Sequence, residues 1–371
     1  MILNYRLLRD CFAESYDEGR RKFLEACDNA GVRVDSRVNP HGLTSEDKPL
    51  SCDVAWFGPD NATHLCMAIC GTHGLEAASG SATMIQWILE KQYQHLPKGT
   101  AVLFVHANNP YGWAHNSRTN ENNVDLNRNF FDHQDHPDNA HYMAQHPILL
   151  TEKMTEGDCA TIGEKLAAYE QQHGKVAGLA SIVQGQYQQP DGLMFGGTEA
   201  EWSTTNLRNI IETYVSTVKK VAVIDWHTGL GPFGEPFLIC HHPKNSAAYW
   251  RACALWGKER IEEGGAFQNP DVAPEFKGII IHGLSALLES MEVEATGVII
   301  ELGTYGNGAV YAGLMMDRWL RFTCDDPDAK DATVVRTKMI ERFNPSQPEW
   351  RMSVLNHAQV IYKQTLAGLE V

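Results

Sequence analysis

The chain has 371 residues, 43% hydrophobic and 21% charged, with 31 Gly and 16 Pro; this composition excludes disorder, collagen and a coiled coil. Basic residues number 31 against 46 acidic ones, a net charge of −15. No Lys/Arg-rich stretch offsets it, which argues against nucleic acid or an anionic membrane as partner. The opening MILNYRLLRDCFAESYDEGRRKF is broken by charges and lacks the apolar core of a signal peptide. No apolar run of about 18 residues occurs, so no membrane span is expected. The nine cysteines include no C-x-x-C pair and read as reduced thiols of a cytoplasmic protein.

In chain order, a helical pattern over Cys11 to Ala30 leads into strand-like segments. Thr63 to Cys70 (THLCMAIC) is a short apolar run that halts at GTHGLE, with a helical stretch over Ala77 to Glu90. Thr100 to Val105 halts at HANNPYGW, Lys220 to Ile224 at DWHTGLG, and Gly297 to Ile300 at ELGTYG; Ala309 to Phe322 then reads as helix. Short Val/Ile/Leu runs bounded by turn signals are how buried strands of a largely parallel sheet read, and their alternation with helices predicts an α/β fold. In such sheets, sites form beyond the carboxyl ends of the strands. Here His, Glu, Asp, Asn and Arg follow those ends.

Between the second and third of these strands lies a long segment, Phe130 to Val218. It carries a His/Asp-rich stretch, helical patterns near Ala160 to Gln172 and Glu199 to Tyr214, and a Gly- and aromatic-bearing loop, Gly185 to Gly197. Such a loop is expected to touch substrate or to be an ordered surface excursion.

His73-Gly74-Leu75-Glu76 sits in the turn after the first strand, with Gly71 and Gly74 where the backbone must turn sharply. His227 ends another strand. Two His and one Glu make a zinc site with a fourth position open to water, though such a set accepts other divalent ions. Asp225, two residues before His227, lies on the same strand face and can fix the imidazole orientation. Glu301 ends the Gly297 to Ile300 strand, where an acid is costly unless paired or used; it reads as the base that activates water. The segment from Asn116 to Phe130 gathers Arg118, Arg128 and several Asn, which suits carboxylate binding and oxyanion stabilisation.

His73-x-x-Glu76, the run Asp125-Leu126-Asn127-Arg128-Asn129-Phe130, Asp225-Trp226-His227-Thr228 and Glu301 stand in the order seen in zinc carboxypeptidases of the M14 type. The chain resembles in particular their bacterial branch DUF2817, over roughly Gly71 to Gly306, where GTHG-x-E, NPYGW, DLNRNF, GQY…GL…GG and DWHTG…E-x-G-T-x-G recur. The resemblance implies a three-layer α/β/α fold with a mixed, mostly parallel sheet of about eight strands. A single domain would then span residues 1–371, with an insertion-like segment over 131–218. It implies that one Zn²⁺ is held by His73, Glu76 and His227, with Glu301 as general base and Arg118 polarising the scissile carbonyl. Asn127 and Arg128 would hold a substrate carboxylate. For the tyrosine that closes over substrate, Tyr305 and Tyr187 are the candidates.

The expected activity is carboxypeptidase-like hydrolysis of a small peptide. The alternative is deacylation of an N-acyl amino acid, as in the aspartoacylase and succinylglutamate desuccinylase relatives, which typically carry a further β-rich domain. A non-catalytic carboxylate-binding protein on the same fold is a third reading. Gly229 to Gly234 fits G-x-G-x-x-G, but Pro232 and the strand-like residues after it argue against a dinucleotide site. The histidines at 133, 136, 141 and 146 read as a solvated loop, with a second metal as the alternative, and His241-His242 reads as structural.

Overall fold

A computed structural model describes residues 3–264 and 276–370. Helices α1 (Tyr5–Cys11) and α2 (Tyr16–Asn29) precede the antiparallel pair β1 (Val34–Leu43) and β2 (Pro49–Phe57). β3 (His64–Cys70) runs into a 3₁₀ turn, Gly74–Glu76, and then α3 (Ala77–Leu89). β4 (Thr100–His106) leads to α4 (Pro110–Ala114), capped by the Asn109 side chain, and to a 3₁₀ turn at Leu126–Arg128. The long segment that follows folds into α5 (Ala140–Leu149), α6 (Glu156–His173), α7 (Leu179–Gln184) and α8 (Trp202–Tyr214). β5 (Lys220–Gly229) and β6 (Pro236–Ile239) are followed by α9 (Ala247–Trp256), α10 (Lys258–Gly264) and α11 (Ile280–Ser290). β7 (Glu294–Gly303) is followed by α12 (Asn307–Phe322), α13 (Lys330–Phe343) and α14 (Pro348–Leu369).

Among the described residues the strands form one sheet of seven, in the order β1-β2-β4-β3-β5-β7-β6. Its centre, β4-β3-β5-β7, is parallel, and the outer pairings are antiparallel. Side chains alternate between the two faces, as the pleat requires. Cys66, Ala68 and Cys70 of β3 pack with Ala222, Ile224 and Trp226 of β5 under α3 and α14. Leu65, Met67 and Ile69 pack on the other face with Val221, Val223 and helices α8 and α11. A third apolar cluster lies outside the sheet and joins α5, α6 and α7 to α12 and α13. None of the nine cysteines forms a disulfide. No helix among the described residues is long and apolar enough to cross a membrane.

Two strands run further than their apolar runs suggest. β5 continues through Asp225 and His227 to Gly229, and β7 through Glu301 to Gly303, and the two stay paired in register to their ends. The polar residues occupy one face only, while Trp226, Ile300 and Leu302 continue the core on the other. Register sets His227 directly beside Glu301. The Gly229–Gly234 segment, with Pro232 inside it, turns β5 back into β6 rather than opening a helix.

The two glycines around His73 are needed for different reasons. Gly71 has φ +67, a conformation that favours glycine. Gly74 has ordinary torsions, but a Cβ there would overlap the Gly112 carbonyl carbon and the Trp113 amide of α4. Gly74→Ala is therefore expected to cost about 1–3 kcal/mol through overpacking. Gly163→Ala, in α6 with open space around its Cβ, should instead gain about 0.5–1 kcal/mol from helix propensity. Urea midpoints check the pair: equal midpoints for the two variants would remove the close-approach argument.

Candidate active site

The turn after β3 is sewn to the stretch after β4. The Asn108 and Asn109 amides donate to the Cys70 and Gly71 carbonyls at 2.9 and 2.8 Å, and the Gly74 and Leu75 amides to Arg118 and Ser117 at 3.2 and 3.1 Å. This delivers His73, Glu76 and Arg118 to the carboxyl end of the sheet, where β5 and β7 present His227 and Glu301. Leu126–Arg128 forms its 3₁₀ turn because the Asp125 carboxylate accepts from the Asn127 amide at 2.9 Å, a local cap of the kind Asp favours.

His73, Glu76 and His227 are buried, and one ligand atom from each lies within 4.8 Å of the others. His73 Nδ1 is 2.9 Å from Glu76 Oε1, His227 Nδ1 is 3.1 Å from Glu76 Oε2, and the two Nδ1 atoms are 3.0 Å apart. The far nitrogen of each ring meets a buried carboxylate: His73 Nε2 lies 3.1 Å from Asp125, and His227 Nε2 lies 2.9 Å from Asp225. Asp225 also accepts from the Thr72 hydroxyl at 2.9 Å. Carboxylates in that position fix ring orientation and raise the basicity of the near nitrogen. The Thr228 amide donates to Glu76 Oε2 at 2.9 Å. Arg118 closes the set, with Nε and Nη2 on Asp125 at 3.1 Å and Nη1 on Glu76 at 3.2 Å.

Burial alone would raise the acids, but the surrounding cations outweigh it. The His73 and His227 imidazoles hold Glu76 well below the usual carboxylate range, and Arg118 and His73 do the same for Asp125. Burial would lower His227, yet Asp225 and Glu76 push it well above the usual imidazole value. Glu301 behaves oppositely: burial, then the charge of Glu76, lifts its carboxyl to about 7, with the Leu230 amide donating to it at 3.3 Å.

These groups line a cavity of about 130 Å³ together with Asn127, Arg128, Tyr311 and an apolar wall that includes Ile239, Ile279 and Ile299. Asn127 Oδ1 accepts from the Ile280 amide at 3.0 Å, and its Nδ2 makes no hydrogen bond among the described residues. Arg128 lies over the Phe276 ring, 5.2 Å from its centroid. It donates to the carbonyls of Asn127, Val183 and Gln184 at 2.7, 2.5 and 3.1 Å. One N–H on each terminal nitrogen is left over.

The structure thus gathers His73, Glu76, Arg118, Asn127, Arg128, His227 and Glu301 around one cavity, with Asp225 behind it. It does not bring Tyr305 there. Tyr305 is 42% exposed, and its hydroxyl donates to Glu341 at 2.6 Å while accepting from the Gln347 side-chain amide. Tyr187 is also occupied elsewhere: its hydroxyl donates to the Arg128 carbonyl at 2.7 Å. The tyrosine on the cavity wall is Tyr311 of α12. The 185–197 loop chiefly buttresses the Asp125–Asn129 turn, through Phe195 to the Asp125 amide and Gly196 to the Asn129 side chain, with Met194 reaching the cavity.

Sequence reasoning gave Asp125 no role toward His73, and it did not single out Tyr311. It also treated His241 and His242 alike. His242 is structural, accepting from the Gly297 amide at 2.8 Å. His241 lines the cavity, pushed down to about 3 by burial and by neighbouring His282 and Arg128. Among the described residues the only His/Cys/Asp/Glu set able to share an ion is His73, Glu76 and His227. The 133–146 histidines do not form another.

Asp125 is fully buried and serves His73, Arg118 and the Asn127 amide at once. Asp125→Ala takes the carboxylate away from Nε and Nη2 of the mostly buried Arg118 guanidinium and should cost about 3–5 kcal/mol, whereas Tyr305→Phe on the surface should stay within about 0.5 kcal/mol. Denaturant midpoints decide it; a mild Asp125→Ala would mean that water or another acid replaces the carboxylate.

No curated protein matches the chain. Among solved structures it is similar to carboxypeptidase A of Helicoverpa armigera, at 14% identity and TM-score 0.43 over 89% of this chain and 74% of that one. It is similar to bovine thrombin-activatable fibrinolysis inhibitor, solved with tick carboxypeptidase inhibitor, at 13% identity and TM-score 0.45 over 95% and 98%. A succinylglutamate desuccinylase of Silicibacter sp. TM1040 is similar at 13% identity and TM-score 0.38 over 78% and 67%. One family model, described as "Protein of unknown function (DUF2817)", matches residues 12–357. The chain belongs to the DUF2817 family.

Proposed function

We propose that the protein is a zinc-dependent hydrolase that cleaves an amide bond beside a free carboxylate, in the manner of an M14-type metallocarboxypeptidase. One observation carries this reading: His73 and His227 turn their Nδ1 atoms onto Glu76 while Asp125 and Asp225 hold the opposite nitrogens. The donor set fits a divalent ion. Two imidazoles and a carboxylate converge, and the buried acids Glu76, Asp125 and Asp225 outnumber the one guanidinium among them. A bound Zn²⁺ would supply Lewis acidity toward the scissile carbonyl and make the attacking water more acidic.

The chain's own residues do the rest. Glu301, lifted to about 7, is basic enough to take a proton from the attacking water and acidic enough to pass it to the leaving nitrogen. The hydroxyl of water goes to the carbonyl carbon, the C–N bond breaks, and the nitrogen leaves as an amine. Arg118 has one N–H on each terminal nitrogen beyond those used by Asp125 and Glu76, and these donate to the carbonyl oxygen as charge develops on it. Asn127 Nδ2 and the two unused N–H groups of Arg128 hold the carboxylate, a charge-assisted pairing on the cavity wall. An N-acyl amino acid offers the same amide and carboxylate as a peptide C-terminus. A mostly apolar groove next to the cavity, between α6, α7 and α12, favours that class.

Free peptides, their C-terminally amidated forms and N-acyl amino acids, incubated with and without a chelator and read by mass spectrometry, test the reading. Chelator-sensitive release is expected only where a free carboxylate flanks the bond; equal cleavage of amidated substrates would overturn the role given to Asn127 and Arg128. Glu301→Gln should keep its metal, measured by elemental analysis, and lose about 10²–10⁴-fold in turnover. His73→Ala should lose the metal itself. A fully active Glu301→Gln protein, or an unchanged metal content in His73→Ala, would sink the corresponding assignment.

A further inference from the structure

The cavity holding the catalytic candidates is not the largest opening in the molecule. Behind it lies a groove of about 520 Å³ between α6, α7 and α12. Its walls are mostly apolar: Cys159, Gly163 and Ala167 come from α6, Ile182 from α7, and Ala312 and Met315 from α12. The charged groups among its walls include Glu156, paired with Arg342 at 2.9 Å, and Glu170, which accepts from the Leu179 amide at 3.4 Å. A cleft of this volume with mostly apolar walls is of the kind that takes a small apolar ligand.

Groove and cavity adjoin along three pieces of wall, two of them pairs of consecutive residues and the third a single side chain. Ile182 faces the groove and its neighbour Val183 the cavity; Leu193 faces the groove and Met194 the cavity; Tyr311 lines both. The Tyr311 ring is mostly buried, yet among the described residues its hydroxyl makes no hydrogen bond. Burial pushes that hydroxyl up to about 12, with Arg118 on the cavity side and Glu170 on the groove side both close enough to act on it. Asn127 and Arg128 are tied to the Ile280 amide and to the Val183 and Gln184 carbonyls. Gly229, beside Glu301, faces Val310 of α12, and Arg118 lies close to Tyr311, so the reacting groups stand next to α12. With a substrate carboxylate on Asn127 and Arg128, the acyl part of the scissile amide points toward α12.

We infer that the groove is the acyl subsite of the same active centre, and that the substrate is an amino acid carrying a long aliphatic acyl chain, which passes Tyr311 and lies between α6 and α12. This rests on the amide-hydrolase reading above. An aliphatic chain fits better than a peptide because a peptide would bring backbone N–H and C=O groups into a groove with few polar partners, and each unpaired group is costly. Two of the groove's three walls, α6 and α7, belong to the segment inserted between β4 and β5, so its selectivity can be set apart from the catalytic residues on the sheet.

Acetyl, octanoyl and lauroyl derivatives of a panel of amino acids, kept below micelle-forming concentrations, are the probes. The wild-type holoenzyme should gain about three- to fourfold in kcat/KM for each methylene that enters the groove, until it is full. Gly163→Trp and Ala167→Trp place an indole in the groove from exposed positions on α6. They should lower kcat/KM for lauroyl substrates by at least about tenfold and leave acetyl substrates unchanged. Binding of the same series to Glu301→Gln protein, measured calorimetrically, should follow the same length dependence. Hydrolysis without any dependence on chain length, or equal losses on acetyl and lauroyl substrates in both tryptophan variants, overturns the subsite while the hydrolase reading stands. Length-dependent binding abolished by the tryptophans, with no hydrolysis of any substrate by the wild type, keeps the subsite and overturns the hydrolase reading. Length-independent binding without hydrolysis overturns both.

Discussion

Burying Glu76, Asp125 and Asp225 at one end of a sheet is affordable only because each is paired several times over. Glu76 is shared between two imidazoles, the Arg118 guanidinium and the Thr228 amide. Asp125 links His73 to Arg118, and Asp225 ties His227 to Thr72. Removing any member leaves an unpaired charge in a poorly solvated place, so the rings have little freedom to turn. The same pairing that keeps the cluster folded sets both Nδ1 atoms toward one point, and orientation for a cation and stability of the apo cluster have a common origin.

The sheet makes that pairing geometrically inevitable. Parallel β3, β5 and β7 end on the same side, so the residues after β3 and those at the ends of β5 and β7 converge without any long connection. Register places His227 opposite Glu301. The 3₁₀ turn of Leu126–Arg128, capped by Asp125, brings the remaining guanidinium and amide groups to the same rim. Because Asp125 serves both as local cap and as partner of His73, one carboxylate couples the placement of Asn127 and Arg128 to the orientation of the His73 ring.

Much of this was legible from residue order. The four apolar runs correspond to β3, β4, β5 and β7, and His73, Glu76, His227, Arg118, Asn127, Arg128 and Glu301 do meet around one cavity. What was not legible has physical causes. β5 and β7 looked shorter because Asp225, His227 and Glu301 interrupt the apolar run, although they interrupt it on one face only. The edge strand β1 is largely solvent-exposed and carries no buried run to detect. The Asp125–His73 contact spans 52 positions, and no local pattern encodes it. Tyr305 drew notice by standing close to Glu301, but the rotation of α12 decides the matter: Asn307, Val310, Tyr311 and Leu314 share the helical face that meets the cavity, and Tyr305 precedes the helix on its exposed side.

That rotation also explains why the inserted helices matter. α12 carries one stripe toward the catalytic groups and another, through Gly308, Ala312 and Met315, toward α6 and α7. A helix with two apolar stripes must be covered on both. The sheet side covers one, and the segment between β4 and β5 covers the other only in part, because Gly163 and Ala167 of α6 carry too little side chain to fill the space toward α12. Larger side chains at those two positions would close the gap. The space is therefore a property of residue size on α6, independent of the ionic cluster, and the chain can alter what it admits there without disturbing the groups that would do the chemistry.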